Sequence, residues 1–490
     1  MKRIAIIGSG IGGLTAGILL AQQGHSVTIL EKNPVPGGKV ASFRHDGFTF
    51  DLGPTLITLL DEMERIVPAL TQMVRFLPVD PSCKYFWSDG TAYSTFADPQ
   101  KSAAETERVF PEDSGAVEQF LRDTGEIYRK TKALFLLKPF GPAQLANIGN
   151  APMLPAMLRI HPLGTMAAEL RRRFRSPKLR QLFGRFATYN GSSPYRAPSM
   201  LNVIASVELR MGAWYPAGGV GAIGTALAKI AASHGVAIHT DTEATGLLRS
   251  GQAIVGVQAC GVRTGNLTLE ADAVVSNGDA RWTHQRLLAP VGVPTPRGLL
   301  KAERSCSGYL LLAAVRAGRL GLAHHNVFFS DDYPAEFADI FERRQLPRGM
   351  TIYLSISAFT DPQLAPEGWE NWYILINAPA SGIDHDNPEV QARYAQAVWE
   401  RLERGFGIKP EIAWQVIMPA RSIEQRYHSL DGAIYGTSSN SLQSAFLRPD
   451  HKVRGLKNFY LAGGSTHPGG GVPLAMLSGN MVAEYLRNGV

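Results

Sequence analysis

Residues 2–31 read KRIAIIGSGIGGLTAGILLAQQGHSVTILE and carry the strongest structural signal in the chain. The apolar segment Lys2–Ile7 predicts a short buried strand, because β-branched residues without polar interruption suit the interior of a parallel sheet. A glycine-rich turn follows. Beyond it, the pattern predicts a helix over Leu14–Gln23 that stops at Gly24, and then a second strand over His25–Leu30. The stretch therefore predicts the strand–turn–helix–strand unit of a nucleotide-binding α/β fold.

The turn matches the pattern G-x-G-x-x-G at Gly8, Gly10 and Gly13, with Gly12 inside it. The first glycine permits a tight turn, the second lets backbone approach a pyrophosphate, and the third lets the helix pack closely on the strand. The N–H groups at the helix start attract phosphates. Glu31 ends the second strand, where a carboxylate can accept hydrogen bonds from ribose hydroxyls. These features together predict a dinucleotide site.

Length and composition limit the other possibilities. The 490 residues exceed what one hydrophobic core usually serves, so we expect more than one domain. The net charge of +7 is spread along the chain rather than gathered into basic blocks, so no nucleic-acid partner is predicted. Cys83, Cys260 and Cys306 are far apart and lack C-x-x-C spacing, which predicts buried small hydrophobic residues and neither a disulfide framework nor a metal site.

The C-terminal region contains a second glycine-rich turn. Asn458–Ala462 predicts a buried strand, and Gly463–Pro473 leads into a helix predicted from about Leu474 to Leu486. Pro473 suits the first helical position, where its missing N–H carries no penalty. Glycines let the backbone lie against a flat ligand, and the helix start offers positive potential that favours an anionic one.

The middle of the chain adds further parts of the same fold. Gly235–Ala244 is predicted to be a turn and a strand, and Thr268–Val275 is predicted to be another strand before the loop Ser276–Asp279. In this architecture we expect the backbone near Glu243–Ala244 to bind adenine.

Four motifs give the chain a family resemblance. They are GFTFDLGPT at residues 47–55, WYPAGG at 214–219, Asp361–Pro362 with Ala365–Gly368, and GSTHPGGGVP at 464–473. On these motifs, the chain resembles bacterial carotenoid desaturases of the phytoene desaturase type over essentially its whole length. Arg185–Tyr195 and Pro473–Gly479 look closer to the hydroxy- and methoxy-carotenoid 3,4-desaturases of that group.

The resemblance implies FAD as the cofactor. Many FAD enzymes carry Gly-Gly-Arg after the acidic residue, and Lys39 here keeps the positive charge but loses the bidentate fork of arginine. The predicted cofactor-binding residues are Gly8, Gly10, Gly12, Gly13, Glu31, Lys32, Gly38, Lys39, Gly53, Pro54, Ala244, Gly463, Gly464, Gly471, Val472, Pro473 and Leu474.

The implied reaction is desaturation of a long acyclic carotenoid, in which a hydride leaves for flavin N5 and a proton leaves the adjacent carbon. His467 is a candidate catalytic residue, with the alternative that it is a loop histidine fixing the backbone. Asp51 is a second candidate, with the alternative that it caps a turn. The stretch 419–436, with Glu424, Arg426 and Tyr427, is a further candidate lining of the site.

The same motifs are compatible with several other functions. Carotenoid isomerases and terminal oxidases share them. A flavoenzyme of the amine-oxidase type would need a polar amine-binding site, and a non-enzymatic lipid-handling protein would lack the flavin segment. Oxygen and membrane quinones are both candidate final electron acceptors.

A water-insoluble polyene implies contact with a membrane surface. The apolar run Ile4–Ala21 holds five glycines that weaken a signal peptide or anchor, and no later run predicts a spanning helix. Residues 132–163 hold apolar clusters broken by proline and flanked by lysine and arginine, which predict an interfacial anchor or a cover of the domain's own core. Arg171–Arg173 could meet anionic head groups. We expect a peripheral protein on the cytoplasmic side of the membrane.

The predicted fold class is α/β, with a discontinuous Rossmann-type FAD-binding domain and an inserted α+β substrate and membrane-association domain. We assign residues 1–75, 215–290 and 440–490 to the first domain, and residues 76–214 and 291–439 to the second.

Overall fold

The computed structural model describes residues 1–137, 164–318, 320–380 and 387–488. The strands in chain order are β1 (Arg3–Ile7), β2 (Ser26–Leu30), β3 (Ser42–His45), β4 (Phe48–Asp51), β5 (Phe76–Pro78), β6 (Cys83–Phe86), β7 (Ala92–Thr95), β8 (Trp214–Pro216), β9 (Ala237–His239), β10 (Thr242–Ser250), β11 (Ala253–Gly261), β12 (Gly265–Glu270), β13 (Ala273–Ser276), β14 (Ser307–Arg316), β15 (His325–Phe328), β16 (Ile352–Ile356), β17 (Trp369–Ala378), β18 (Ile412–Met418) and β19 (Phe459–Leu461).

Helices connect and cover these strands. The α-helices are Ile11–Gln22, Leu60–Ile66, Pro68–Met73, Pro99–Val109, Ala116–Phe135, Met166–Arg173, Pro177–Gly184, Val203–Met211, Gly221–Ser233, Ala280–Trp282, Arg297–Lys301, Tyr333–Ala338, Pro388–Phe406, Ala420–Tyr427, Leu442–Phe446 and Val472–Asn488. Short 3-10 helices include Arg185–Asn190 and Ser199–Asn202.

A five-stranded, all-parallel sheet in the order β19-β13-β1-β2-β9 forms the nucleotide-binding part. Ile7 lies in register with Leu30 on one side and with Ser276 on the other. The carboxyl ends of parallel strands meet at one edge, so the loops after β1, β2, β13 and β19 come together there. This sheet, with helices on it and a second sheet inserted in the chain, confirms the predicted fold class.

The helices at the two ends of the chain pack against each other on one face of this sheet. A Cβ on Gly479 of Val472–Asn488 would lie 2.4 Å from the carbonyl oxygen of Gly12, so only glycine allows this approach. The first helix begins at Ile11, three residues before the predicted start, because Gly10 already acts as its N-cap and accepts a bond from the Leu14 N–H at 2.9 Å.

Two predicted strands are each divided in the structure. Gly235–Ala244 contains β9 and the start of β10, separated by a left-handed residue, Asp241 (φ +51°). Thr268–Val275 contains the end of β12 and the first three residues of β13, which belong to different sheets. The two strands differ in burial, which explains why they join different sheets. Residues of β12 are exposed or partly buried, as at a surface, whereas every residue of β13 is buried.

The second large sheet has seven strands in the order β18-β14-β17-β16-β15-β6-β7 and is mostly antiparallel. One face packs on the helix Pro388–Phe406 through Val398 and Leu402. The other face, with Leu310 and Leu312, packs on the hairpin β3-β4. The strands of the parallel sheet fall within residues 1–75, 215–290 and 440–490, and those of the seven-stranded sheet fall within 76–214 and 291–439. The domain boundaries stay a prediction.

The cysteines follow the prediction only in part. Cys83 and Cys306 are buried, but Cys260 is exposed. It lies on the outer side of β11, where burial alternates along the strand, so the prediction of a buried side chain is wrong there.

Candidate active site

Several glycines in the loops at the edge of the parallel sheet lie where a side chain would have no room. Gly8 has a φ of +92°, and a Cβ on Gly13 would lie 2.2 Å from the Gly8 carbonyl oxygen, so this glycine packs the helix on the turn. Gly10 forms an isolated bridge with Gly37, and a Cβ on Gly38 would lie 2.9 Å from the Gly10 Cα. A bare backbone groove of this kind fits the pyrophosphate of a dinucleotide.

Asn277 joins the two glycine-rich turns. A Cβ on Gly10 would lie 2.4 Å from Asn277 Nδ2, and one on Gly463 would lie 2.6 Å from Asn277 Oδ1. The Asn277 N–H donates to the carbonyl of Ile7 at 2.8 Å. Sequence reasoning placed this residue only in a loop. Its position directly after a fully buried strand was the available signal, because that position in a parallel sheet faces the ligand edge.

Glu31 is buried, 4% exposed, at the end of β2. Its Oε2 accepts bonds from the Ser9 N–H at 2.8 Å and hydroxyl at 2.7 Å, and its Oε1 accepts from the Asn33 N–H at 2.8 Å and side chain at 2.9 Å. The carboxylate therefore fixes the turn after β1 and the loop after β2 relative to each other. Its role toward ribose stays a prediction.

Lys39 is held inside the groove. Its ammonium group donates to the carbonyl of Ile434 at 2.6 Å. Burial lowers the pKa of Lys39 to about 8, although Asp279 opposes this change. Asp279 pairs with Arg304 at 3.2 Å in a buried ion pair. Lys32 lies further out and donates to the carbonyl of Gln425 at 2.6 Å.

The second turn is fixed by its own hydroxyl groups. The Thr466 hydroxyl donates to the Gly463 carbonyl at 2.7 Å, and the Gly463 N–H donates to the Ser478 hydroxyl at 2.9 Å. The helix begins at Val472, one residue before the predicted first position. The ring of Tyr435 covers this turn.

His467 lines the same cavity as the turn and is 7% exposed. Its N–H donates to the carbonyl of Pro449 at 3.1 Å, and its ring lies edge-on to the ring of His451 at 6.3 Å between centroids. These contacts fit a residue that fixes the loop, and its catalytic role stays a prediction.

Asp51 lies behind the cavity wall. Its Oδ2 accepts from the Tyr215 hydroxyl at 2.8 Å, and its Oδ1 accepts from the Val220 N–H at 2.9 Å. Burial raises the pKa of Asp51 to about 6, and the two hydrogen bonds oppose this change. These contacts fit the alternative in which Asp51 fixes a turn, here the turn after β8, and its catalytic role stays a prediction.

One continuous cavity of about 620 Å³ runs along the groove and into the space beside the seven-stranded sheet. It is lined by all the predicted cofactor-binding residues except Gly13, namely Gly8, Gly10, Gly12, Glu31, Lys32, Gly38, Lys39, Gly53, Pro54, Ala244, Gly463, Gly464, Gly471, Val472, Pro473 and Leu474. Arg426 and Tyr427 also line it, whereas the Glu424 carboxylate accepts a bond from the Asp431 N–H at 3.3 Å.

The part of the cavity beyond the turns is mainly apolar and aromatic. Its lining includes Leu59, Leu136, Val203, Ile204, Val207, Leu310, Tyr353, Tyr373 and Phe446. Among the described lining residues, the carboxylates are those of Glu31, Glu243 and Asp279, which all lie beside the nucleotide loops. The arrangement combines a nucleotide groove with a compartment for a hydrocarbon chain.

Comparisons with known proteins agree with this geometry. The model of the family described as flavin containing amine oxidoreductase matches residues 11–487. The chain is 35% identical to a 1-hydroxycarotenoid 3,4-desaturase of Flavobacterium sp. (strain P99-3), covering 100% of this chain and 99% of that protein. It is 33% identical to a hydroxyneurosporene desaturase of Rubrivivax gelatinosus, covering 99% of this chain and 93% of that protein. It is 31% identical to a 4,4'-diapolycopene oxygenase of Methylomonas sp, covering 99% of this chain and 98% of that protein.

Solved structures support the fold. The crystal structure of an oxidoreductase from Methanosarcina mazei has a TM-score of 0.64 at 15% identity, covering 98% of this chain and 100% of that one. The predicted family and enzyme class are thus confirmed. The chain belongs to the flavin containing amine oxidoreductase family and is an FAD-dependent oxidoreductase of its carotenoid desaturase branch.

Proposed function

We propose that this enzyme desaturates a long acyclic carotenoid with FAD held along the groove between the two glycine-rich turns. The observation that carries the proposal is the single cavity that touches both turns and continues into the apolar compartment. When bound, the flavin supplies the two-electron acceptor for the substrate's hydride. The protein's own part is to bind, to orient and to exclude water.

Successive segments of the groove match the successive chemical groups of FAD. The backbone of the turn Gly8–Gly13 would hold the pyrophosphate, with the helix N–H groups toward it. Glu31 would accept from ribose, and the backbone at Ala244 would contact adenine. The start of the helix Val472–Asn488 would face the ring system, where its positive end favours the reduced flavin.

The apolar compartment favours a hydrocarbon over an amine. A buried ammonium group needs a negative counter-charge, but the described lining residues of this compartment include no carboxylate and do include the cation Arg185. Leucine, valine and phenylalanine side chains instead give the contacts that a polyene requires. They also keep water from a cation that forms next to the conjugated chain.

The relatives favour desaturation. Two proteins named as desaturases of hydroxylated carotenoids are 35% and 33% identical over nearly the whole chain. The second candidate is terminal oxidation of a carotenoid, which the 31% identity to the 4,4'-diapolycopene oxygenase supports.

We also propose that the enzyme works at the cytoplasmic face of a membrane, because its substrate does not dissolve in water. Most of the predicted interfacial segment, residues 138–163, lies outside the described residues. Of the predicted basic group, Arg171 and Arg172 are exposed, whereas Arg173 pairs with Glu169 at 2.7 Å and Asp123 at 2.6 Å. In the part of the chain that the structure describes, no helix is both long and apolar enough to cross a bilayer.

The test uses the flavin-loaded enzyme with liposomes that contain single acyclic carotenoids, with either a quinone or oxygen supplied. Product masses separate the candidates. A loss of two hydrogens supports desaturation, a gain of oxygen supports terminal oxidation, and an unchanged mass with altered double-bond geometry supports isomerisation. The flavin-depleted enzyme is the control. Failure of every carotenoid to change would overturn the assignment, and a purified protein that takes up no FAD would favour the lipid-handling alternative.

A further inference from the structure

A polar cluster interrupts the wall of the apolar compartment. Arg185, Thr188 and Tyr189 line the cavity from the short 3-10 helix Arg185–Asn190. Arg185 is only 8% exposed. Burying a guanidinium cation beside a hydrocarbon site is costly unless its N–H groups find partners. The partners of this cation therefore indicate what the cluster does.

Only some of the hydrogen-bond donors of the Arg185 guanidinium group have partners within the protein. Its Nη2 donates to the Tyr85 hydroxyl at 3.0 Å and lies 3.9 Å from Glu208 Oε1, which is an ion pair beyond hydrogen-bond distance. Its Cζ lies over the rings of Tyr85, Phe186 and Tyr189 at 5.4, 5.0 and 5.4 Å from their centroids. The Nε–H is buried away from the cavity and has no hydrogen-bond partner among the described residues. Nη1 is not among the fully buried atoms and makes no hydrogen bond to a described residue, so it is the group that Arg185 opens to the cavity. One donor at the cavity wall thus lacks an acceptor.

Tyr189 offers the complementary group. Its hydroxyl donates to Glu208 Oε2. A phenol oxygen whose proton is committed to a carboxylate still has a lone pair for another donor. Arg185 and Tyr189 therefore present a donor and an acceptor on neighbouring turns of one helix. An alcohol both accepts and donates, so it matches this pair.

The pair lies close to the flavin end of the cavity. The 3-10 helix is followed by its C-cap residue Gly191, where a Cβ would lie 2.9 Å from the ring of Tyr435. The other side of that ring packs on the second turn, because a Cβ on Gly470 would lie 2.3 Å from it. At about 2 Å per residue of 3-10 helix, Arg185 is on the order of 10 Å along the helix from this contact. The end group of a chain that reacts at the flavin turn can reach it.

We propose that Arg185 and Tyr189 bind a hydroxyl group at the end of an acyclic carotenoid and thereby select hydroxylated substrates over the matching hydrocarbons. This inference rests on the proposed function and names its substrate class. Two of the relatives are named for hydroxylated carotenoids. A hydrocarbon end would cover the Arg185 Nη1 without offering it an acceptor, which corresponds to an affinity lower by on the order of tenfold to hundredfold.

The test compares a 1-hydroxylated acyclic carotenoid with the hydrocarbon of the same skeleton and conjugation length, each in phosphatidylcholine liposomes. Binding is read from the polyene absorption shift with the flavin chemically reduced beforehand, so that bound substrate is not converted. The ratio of kcat/KM values is read separately by pigment analysis. The variants are Tyr189→Phe and Arg185→Met. The control is Tyr93→Phe, which likewise removes a buried tyrosine hydroxyl, here one bonded to Thr106 at 2.8 Å.

We expect the wild type and Tyr93→Phe to prefer the hydroxylated carotenoid about tenfold to hundredfold in both measurements. Tyr189→Phe and Arg185→Met should bring this ratio close to one. If Arg185→Met does not fold, Tyr189→Phe decides. Equal binding of both carotenoids by the wild type, or an unchanged preference in the flavin-loaded variants, overturns the inference while carotenoid conversion still stands. If the wild type binds and converts neither carotenoid, the proposed function fails and the inference fails with it.

Discussion

Gly12 and Gly463 lie in direct contact although they come from opposite ends of the chain. A Cβ on Gly12 would stand 2.9 Å from both the nitrogen and the Cα of Gly463, and 2.7 Å from Asn277 Oδ1. Three chain segments therefore meet with no space for a methyl group. Because two of the neighbouring atoms belong to the backbone, a change of side-chain rotamer cannot relieve the contact.

We expect Gly12→Ala to lose most of its bound flavin and to lower the free energy of unfolding by about 1–3 kcal/mol, because the added methyl group pushes the two turns apart. Flavin absorbance per protein and thermal unfolding measure the two effects. Gly405→Ala is the matched control, because Gly405 also lies in a helix and a Cβ there meets nothing within 4 Å. The control should keep its flavin and gain up to about 1 kcal/mol. Full flavin content in Gly12→Ala would contradict the expected closure of the groove.

Lys39 gives flavin binding a dependence on pH. Burial lowers its pKa to about 8, so the free protein carries this charge below that pH and loses it above. An anionic cofactor favours the charged form, so binding above pH 8 requires uptake of a proton. We expect the affinity of the deflavinated enzyme for FAD to fall by up to about tenfold per pH unit above 8.

Fluorescence titrations with FAD between pH 7 and 9.5 measure this effect. Lys39→Arg keeps its charge over the whole range, so its affinity should stay nearly constant apart from the cofactor's own titration. Lys39→Met should bind more weakly than the wild type at pH 7 and show the same flat profile. A wild-type profile as flat as that of Lys39→Arg would exclude Lys39 from the charge recognition.

The nucleotide half of the fold could be predicted from the sequence because its signals are local. Strand, glycine turn and helix succeed one another within residues 2–31, and each element has its own pattern. The division of Gly235–Ala244 into two strands was missed, since the polar break between them is only a few residues long. Which sheet a short strand joins depends on partners far away in the sequence.

The non-local parts of the site could not be predicted in the same way. Asn277 gains its position only when three strands are in register, and Asp51 is bonded to Tyr215, which a sequence pattern does not reveal. The pairing of Arg185 with Glu208 likewise depends on two helices brought together by the fold. Side-chain partners of this kind follow from tertiary packing and not from spacing.

Glu31→Gln should weaken flavin binding by about tenfold to hundredfold. The substitution keeps the size of the side chain but turns an amide donor toward N–H groups of Ser9 or Asn33, which then lose their acceptor. Flavin retention during gel filtration and a titration of the deflavinated enzyme measure the change. Glu270→Gln removes an exposed carboxylate paired with Arg3 at 2.6 Å and should leave flavin binding unchanged. An unchanged affinity in Glu31→Gln would reject its proposed role in the site.

Asp51→Asn tests whether the buried Asp51 carboxyl group binds a proton more tightly in the folded than in the unfolded protein. Burial raises the pKa of Asp51 from 3.8 to about 6 in the folded protein, so between these values the folded state binds more protons than the unfolded state. The contribution of this group to stability therefore falls as pH rises from about 4 to 6, by about 3 kcal/mol in total, and is constant above that range. Asparagine has no such titration, and its amide can still accept from the Val220 N–H. In urea unfolding series at pH 4, 5, 6 and 7, the stability of the wild type relative to Asp51→Asn should decline up to pH 6 and then level off. A constant difference across the series would show that Asp51 is already ionised at pH 4 in the folded protein.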